Sequence, residues 1–216
     1  MTRTDSRCVV DTVVLRYFLL ARRFDLLEQL VRSPFGVPRI VFDPEEETGL
    51  NELAMSEMTR SIAHQAQVSN DVNRSEPERA QARDRAEYLS RIRGHYESGA
   101  FEVLDLRDEE RSVVAKLTNV DDARRELGLL FALDPGEAAC VSIALNRGLV
   151  IATDDTDALR VIEQLHPGHP YERIRKLLKR AAREGLANES KANLIHESMQ
   201  SHGFWDNGIP FPDLRT

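Results

Sequence analysis

Gly136-Glu-Ala-Ala-Cys-Val-Ser-Ile-Ala-Leu-Asn-Arg-Gly-Leu-Val-Ile-Ala-Thr-Asp-Asp155 sets the architecture of this chain. Just before and into it, Asp134-Pro-Gly-Glu137 reads as a helix start. Asp134 is the N-cap, Pro135 takes the first helical position, and Glu137 lies three residues on, able to reach back to the cap amide. An apolar helix then runs from Ala138 to Asn146 and is closed by Arg147-Gly148. Leu149-Val-Ile-Ala-Thr153 is a short apolar run of buried-strand type, ended by Asp154-Asp155, and a further helix covers Ala158 to Leu165. Helix, buried strand and helix in direct succession are the unit of an α/β fold.

The same alternation extends outward. Arg7-Cys-Val-Val-Asp11 is an apolar strand that stops on a carboxylate. Helical spacing follows through Val14, Leu15, Phe18 and Leu19, then Leu26, Leu27, Leu30 and Val31, until Pro34, Gly36 and Pro38 break it. Arg39-Ile-Val-Phe42 reads as the second strand, closed by Asp43-Pro44. Leu50, Leu53, Ala54, Met58 and Ile62 predict a helix from Glu45 to about Ala66. A polar stretch from Ser69 to Arg79 precedes a charged helix from Glu78 to about Glu97, with Ala82, Ala86, Leu89 and Ile92 on its apolar face and Gly99 at its end. Phe101 to Leu106 reads as a strand, and a charge-rich helical stretch runs from Asp108 to Leu127. Pro167, Gly168 and Pro170 mark a boundary, beyond which amphipathic helices span Tyr171 to Glu184 and Glu189 to Ser201, with Phe204 and Trp205 packing back on them. The expected organisation is an α/β core over 1–166, with a central mostly parallel sheet and a polar helical insertion at about 69–97, followed by a C-terminal helical pair over 167–216.

Composition narrows the function classes. With 216 residues, 41% hydrophobic and 30% charged, the chain suits one globular domain with an appendage. No apolar run approaches the ~20 residues of a membrane helix, and Met1 to Arg7 lacks the pattern of a secretory signal. Cys8 and Cys140 sit in apolar runs and read as buried thiols; the expected compartment is the cytoplasm. The net charge of −7 argues against a protein that holds nucleic acid by its overall charge. Only four of the 29 basic residues are lysine; arginine suits phosphate recognition, although a GC-rich coding bias explains the skew as well.

Acids recur at matching places in this topology. Asp11 closes one strand, Glu137 opens a helix, and Asp154 and Asp155 close another strand. Ligand sites of open parallel sheets form outside the carboxyl ends of the strands, so these acids can face one crevice. Clustered carboxylates repel unless a hard cation neutralises them, and Mg2+ or Mn2+ takes oxygen ligands. Each acid also has a structural reading: Asp134 and Glu137 as a capping box, Asp154, Asp155 or Asp157 as caps of the next helix, Asp11 as the cap of a helix starting at Thr12. The six histidines show no zinc spacing. No phosphate-cradling glycine loop is present, and Ser142 lies inside an apolar helix and not on a nucleophile elbow.

Val9-Val-Asp-Thr-Val-Val-Leu15 resembles the opening of PIN domains, and Gly136 to Asp155 resembles the PIN helix–strand unit, in which an acid starts a small-residue helix and Thr-x-Asp closes the next strand. The Gly-Glu-Ala form, with Ala182-Arg-Glu-Gly-Leu186 and Ser201-His-Gly-Phe204, is similar to a bacterial and archaeal branch of that family. The resemblance implies a three-layer α/β/α fold and a ribonuclease that uses Mg2+ or Mn2+. It implies Asp11, Glu137 and Asp155 as metal-binding acids, with Asp154 and Asp157 as contributors. The family's second acid maps onto Glu52, with Glu57 as the fallback. It further implies a toxin restrained by an antitoxin-like partner, and a homodimer. Arg16, Arg22 and Arg23 are candidate phosphate contacts. Two other readings stand beside this one: an inactive PIN scaffold that binds RNA or protein, and a small-molecule phosphohydrolase. The absence of a second aspartate in Asp11-Thr-Val13 counts against the last.

Overall fold

The computed structural model describes residues 8–46 and 55–205. Its elements, in chain order, are β1 (Cys8–Val10), α1 (Thr12–Leu20), α2 (Phe24–Val31), β2 (Phe35–Pro38), α3 (Glu57–Asn70), α4 (Glu76–Ser90), α5 (Ile92–Glu97), β3 (Phe101–Leu104), α6 (Asp108–Leu117), α7 (Val120–Leu127), α8 (Pro135–Arg147), β4 (Val150–Ala152), α9 (Thr156–Leu165), β5 (Tyr171–Glu172), α10 (Ile174–Arg183) and α11 (Glu189–Ser201). The five strands form one parallel sheet in the order β3-β2-β1-β4-β5. The fold is a three-layer α/β/α sandwich. Helix α8 packs on β1, β2 and β4 with α6 and α9 beside it, while α1, α2, α10 and α11 pack among themselves as a second set. Among the described residues no helix is long and apolar enough to cross a membrane. Both cysteines are free and buried.

The central strands are buried on both faces, as parallel strands are when helices cover the sheet: every residue of β1 and β2 is buried. Phe35 and Phe101 face each other in register across β2 and β3, with ring centres 5.6 Å apart, and Phe24, Phe42 and Tyr96 close around them. Gly36 sits where any Cβ would overlap the Leu104 side chain, so the strand accepts only glycine there without repacking.

Several boundaries differ from the sequence expectation. The second strand is Phe35–Pro38 and not Arg39–Phe42; residues 39–42 are a turn in which Val41 and Phe42 N–H both return to the Pro38 carbonyl, at 2.9 and 3.1 Å. Proline is tolerated because it ends the strand, beyond the β1 pairing at Gly36, so no ladder bond is lost. The helix expected from Glu45 starts only at Glu57, capped by Ser56; its expected first part at 47–54 lies outside the described residues. The polar stretch at 69–79 shrinks to a short turn between α3 and α4, which pack as a hairpin. The helical run through Val31 is two helices, divided where Arg22 takes a left-handed φ of 55°. The stretch Asp108–Leu127 divides at Asn119, whose side chain caps α7. Tyr171 and Glu172 form an edge strand on β4, so the segment after Pro170 adds to the sheet before its helices begin.

One buried ion pair ties the first face together. The Glu110 carboxylate is fully buried and takes a two-pronged contact from Arg147, Nε to Oε1 and Nη2 to Oε2, each 2.7 Å. Burial opposes its ionisation, but the Arg147 fork and the Arg107 N–H outweigh this and hold Glu110 below the usual carboxylate range. A folded-state value below the unfolded one stabilises at neutral pH, and that stabilisation is lost as pH falls through the folded value. Arg147→Ala leaves a buried charge without its partner. It is expected to cost about 3–5 kcal/mol in urea unfolding at neutral pH, with the deficit shrinking as pH falls and Glu110 becomes protonated.

Candidate functional site

The strand order reverses between β1 and β4: from β1 the chain builds outward to β2 and β3, then returns beyond β1 to lay down β4 and β5. Such a switch point leaves a crevice outside the carboxyl ends of the two strands. Here the residues at those ends are Asp11, after β1, and Thr153-Asp154-Asp155, after β4. A crevice of about 610 Å³ opens at this place, and its acidic lining is Asp11, Glu57, Asp134, Glu137, Asp154 and Asp155. Arg16, Arg60, His64 and the aromatic Tyr17, Phe204 and Trp205 also line it.

Asp11 is only 2% exposed. Its Oδ1 accepts from Thr12 N–H at 2.7 Å, capping α1, and its Oδ2 accepts from the Thr153 hydroxyl, also at 2.7 Å. Burial pushes its carboxyl up to about 7; the Thr153 hydrogen bond opposes this, and the charges of Glu57 and Asp155 add to it. Glu137 forms the expected capping box, its Oε2 accepting from Asp134 N–H at 3.2 Å. Burial and then the charges of Asp155 and Asp11 raise its carboxyl well above the usual range. Asp155 caps α9 by accepting from Ala158 N–H at 2.7 Å, and its own N–H donates to Thr153 Oγ1 at 3.1 Å. Asp11, Glu137 and Asp155, far apart in sequence, therefore share one crevice and feel one another's charge.

The fourth acid in this group is Glu57, in the first turn of α3. Gly136 N–H donates to its Oε1 at 3.0 Å, and the Thr12 hydroxyl donates to Oε2. The carboxylate thus lies on the amino end of α8, where unpaired N–H groups and the helix dipole favour an anion. Gly136 is glycine for this reason: a Cβ there would overlap the Glu57 carboxylate.

The other expected residues are placed differently. Glu52 lies outside the described residues. Asp154 borders the crevice, but its carboxylate is held by Arg173 Nε at 3.0 Å and by Ile174 N–H at 2.6 Å, at the start of α10. Asp157 does not line the crevice and pairs with Arg160 at 2.8 Å. Of the three candidate arginines only Arg16 lines it; Arg22 lies over the Tyr88 ring and Arg23 pairs with Asp25. Thr153 is the residue that sequence reasoning passed over: fully buried, it donates to Asp11 and accepts from the Asp155 amide. The Thr-x-Asp signature carried that signal.

Chemically, this is an oxygen-rich site with two carboxyls whose proton affinity reaches toward neutral pH, the property of groups that exchange protons with a reacting molecule. The donor set fits a hard divalent cation in kind. Among the described residues, no three His, Cys, Asp or Glu side chains converge on one point. Magnesium needs no such convergence, because it is held by one or two carboxylates and keeps several waters.

Gly136→Ala tests the cradle. Alanine is the better helix former by about 0.8–1 kcal/mol, and the group it displaces is the tip of a flexible side chain. The variant is expected to keep its melting temperature within a few degrees, while its crystal structure shows the Glu57 carboxylate moved off the amino end of α8; an unmoved carboxylate would refute the cradle. No protein-family model, curated protein or solved structure matches the chain, so the functional reading rests on these residues and their geometry.

Proposed function

We propose that this crevice is the active centre of a Mg2+- or Mn2+-dependent ribonuclease of PIN type. The observation that supports it most is the meeting of Asp11, Glu57, Glu137 and Asp155 at the β1/β4 switch point, with Asp11 and Glu137 raised in proton affinity by burial and by neighbouring acids. The resemblance of Val9–Leu15 and Gly136–Asp155 to PIN segments agrees with it. The residues to hold the cation are Asp11 and Asp155, with Glu57 and Glu137 beside them. Bound there, a divalent ion supplies charge neutralisation for the phosphodiester and lowers the proton affinity of an attacking water. The protein's own part is to orient and to move protons. Thr153 fixes Asp11 against Asp155. With a cation bound, Glu137 would be ionised and could accept a proton from water as its oxygen attacks phosphorus, while the leaving oxygen is protonated from solvent or from an acid of the crevice. Arg16 and Arg60 offer positive charge to the phosphates on either side of the scissile bond.

A second reading has its own support. Asp11, Glu137 and Asp155 each cap a helix, and caps alone explain acids at these positions. In that reading the domain is a scaffold that binds RNA or a protein without cutting. Within the nuclease reading, a toxin kept in check by a small protein partner, active as a homodimer in the cytoplasm, is the biological setting that the resemblance suggests.

Incubation of purified protein with defined RNA and DNA, with and without Mn2+, separates these readings. Wild type is expected to cleave RNA only with metal, and Asp11→Asn, Asp155→Asn and Glu57→Gln to lose about 100-fold or more. Equal cleavage by the three variants would end the nuclease reading. Calorimetry with Mn2+ should show binding by wild type and little by Asp11→Asn; no binding by either favours the scaffold.

Stability gives an independent check. Because the Asp11 carboxyl is raised to about 7 in the folded chain, from 3.8, ionising it opposes folding. The cost is absent below about pH 4 and grows until pH passes about 7. Asp11→Asn removes the charge and keeps a hydrogen-bonding side chain. In metal-free buffer at pH 8 it is expected to raise stability by roughly 1–3 kcal/mol, and to give no gain at pH 4. A loss of stability at pH 8 would show that Asp11 serves the fold as a cap and no more.

A further inference from the structure

Outside the crevice, one group of basic side chains forms no ion pair among the described residues, with Asp84 as its acidic neighbour. Arg22 follows α1 with its φ at 55°, a conformation that costs a non-glycine residue about 1–2 kcal/mol. Its guanidinium carbon lies 4.1 Å from the centre of the Tyr88 ring. Arg85 precedes Tyr88 by three residues on α4 and so stands one turn away on the same face. His202 ends α11. Among the described residues neither Arg22 nor Arg85 forms an ion pair. The Nε of Arg85 and the Nδ1 of His202 are both buried without a hydrogen-bond partner. A buried donor left unmatched costs about 1–3 kcal/mol, and native structures tolerate few of them.

Burial first, and then the charges of Arg85 and Arg22, hold His202 below its ordinary range, with Asp84 partly opposing. Helices α4 and α11 both pack on α1, which brings the three side chains near one another. Their position relative to the crevice is set by the chain. His202 runs directly into Gly203, Phe204 and Trp205, which line the crevice, and Arg22 stands at the far end of the helix that brings Tyr17 to it. Trp205 is 78% exposed, and an indole so placed suits base stacking.

We propose that Arg22, Arg85 and His202 form a phosphate-binding patch, floored by Tyr88, that takes a phosphodiester of single-stranded RNA where the strand leaves the crevice. The identity of the strand rests on the nuclease reading; the affinity for phosphate does not. The patch also answers how a chain of net charge −7 holds a polyanion: two guanidiniums outside any ion pair form a local positive field.

The test is binding with cleavage silenced, Ca2+ taking the place of Mg2+ or Mn2+, measured by fluorescence anisotropy with a labelled single-stranded RNA of about ten nucleotides, within the range of single-strand sites, and with a dinucleotide. The double variant Arg22→Gln, Arg85→Gln keeps the apolar stems and removes both charges; Arg85→Glu alone serves if the double variant melts early. The longer RNA is expected to bind the double variant about tenfold or more weakly, with the slope of log K against log salt reduced by about 1.4 for two lost single-strand contacts. Dinucleotide binding should be unchanged. Wild-type affinity and slope in the variants would overturn the proposal. So would a patch that gives a thermal shift with inorganic phosphate, lost in the variants, while RNA binding is unaffected; that result would mark a free-phosphate site. If the patch variants lose RNA affinity but wild type never cleaves, the nuclease reading fails and the patch stands.

Discussion

A carboxylate buried at the end of β1 is the constraint on which the rest of this structure depends. Desolvating Asp11 is costly, and two donors keep the cost tolerable: the Thr12 amide and the Thr153 hydroxyl. The second donor is available only because β1 and β4 pair in parallel with Val10 opposite Ala152, while Asp11 N–H continues the ladder to the Ala152 carbonyl at 3.0 Å. Asp11 and Thr153 then lie side by side. A slip of one residue would turn Thr153 to the opposite face and leave Asp11 with half its support. Strand register and site chemistry are one requirement here.

That requirement explains why capping and cation binding are compatible roles for the same acids. Asp11 and Asp155 each accept a first-turn amide, Glu137 closes a capping box, and Glu57 accepts from the first turn of α8. The amino ends of α1, α8 and α9 all meet the crevice. Their dipoles place partial positive charge among carboxylates that would otherwise drive one another apart. Burial, with the neighbouring acids adding to it, still raises the proton affinity of Asp11 and Glu137. On the nuclease reading, a hard divalent cation bound among these carboxylates would relieve the cost of their ionisation.

The sequence was legible where local rules and tertiary needs coincide. Asp134-Pro-Gly-Glu137 and Gly148 bracket α8 as read, and α9, α11, β3 and β4 follow within a residue or two at most ends. Periodicity failed where two helices share one apolar stripe. Leu15 to Leu30 continue a helical pattern across Arg22, and only a left-handed residue that composition does not announce divides them. It also misplaced β2, because Arg39-Ile-Val-Phe42 has the better strand composition whereas Phe35–Pro38 has the partner, stacked on Phe101 across the pairing. Long-range charge pairs were equally invisible. Arg147 read as a helix-end residue, yet its guanidinium neutralises Glu110 on another helix. Glu57 ranked behind Glu52 on register alone; what sets it in the crevice is the missing side chain of Gly136, a shape complementarity between residues 79 positions apart.

The overall charge of a protein is a poor guide to what its clefts bind. At physiological ionic strength a charge is screened over about 8 Å, so most of the acids behind the value of −7 are silent at any given point on the surface. Many are moreover neutralised in place, as in the pairs of Glu76 with Arg79 and Arg83, Glu87 with Arg91, and Asp122 with Arg125. What remains local is decisive. The floor of the crevice carries acids that repel a phosphodiester on their own, while Arg16 and Arg60 on its walls do not. A polyanion can enter such a site only if the floor is neutralised first. On the nuclease reading, the acids that bind the cation therefore also exclude the substrate until it arrives, which makes metal binding a precondition of substrate binding as well as of chemistry.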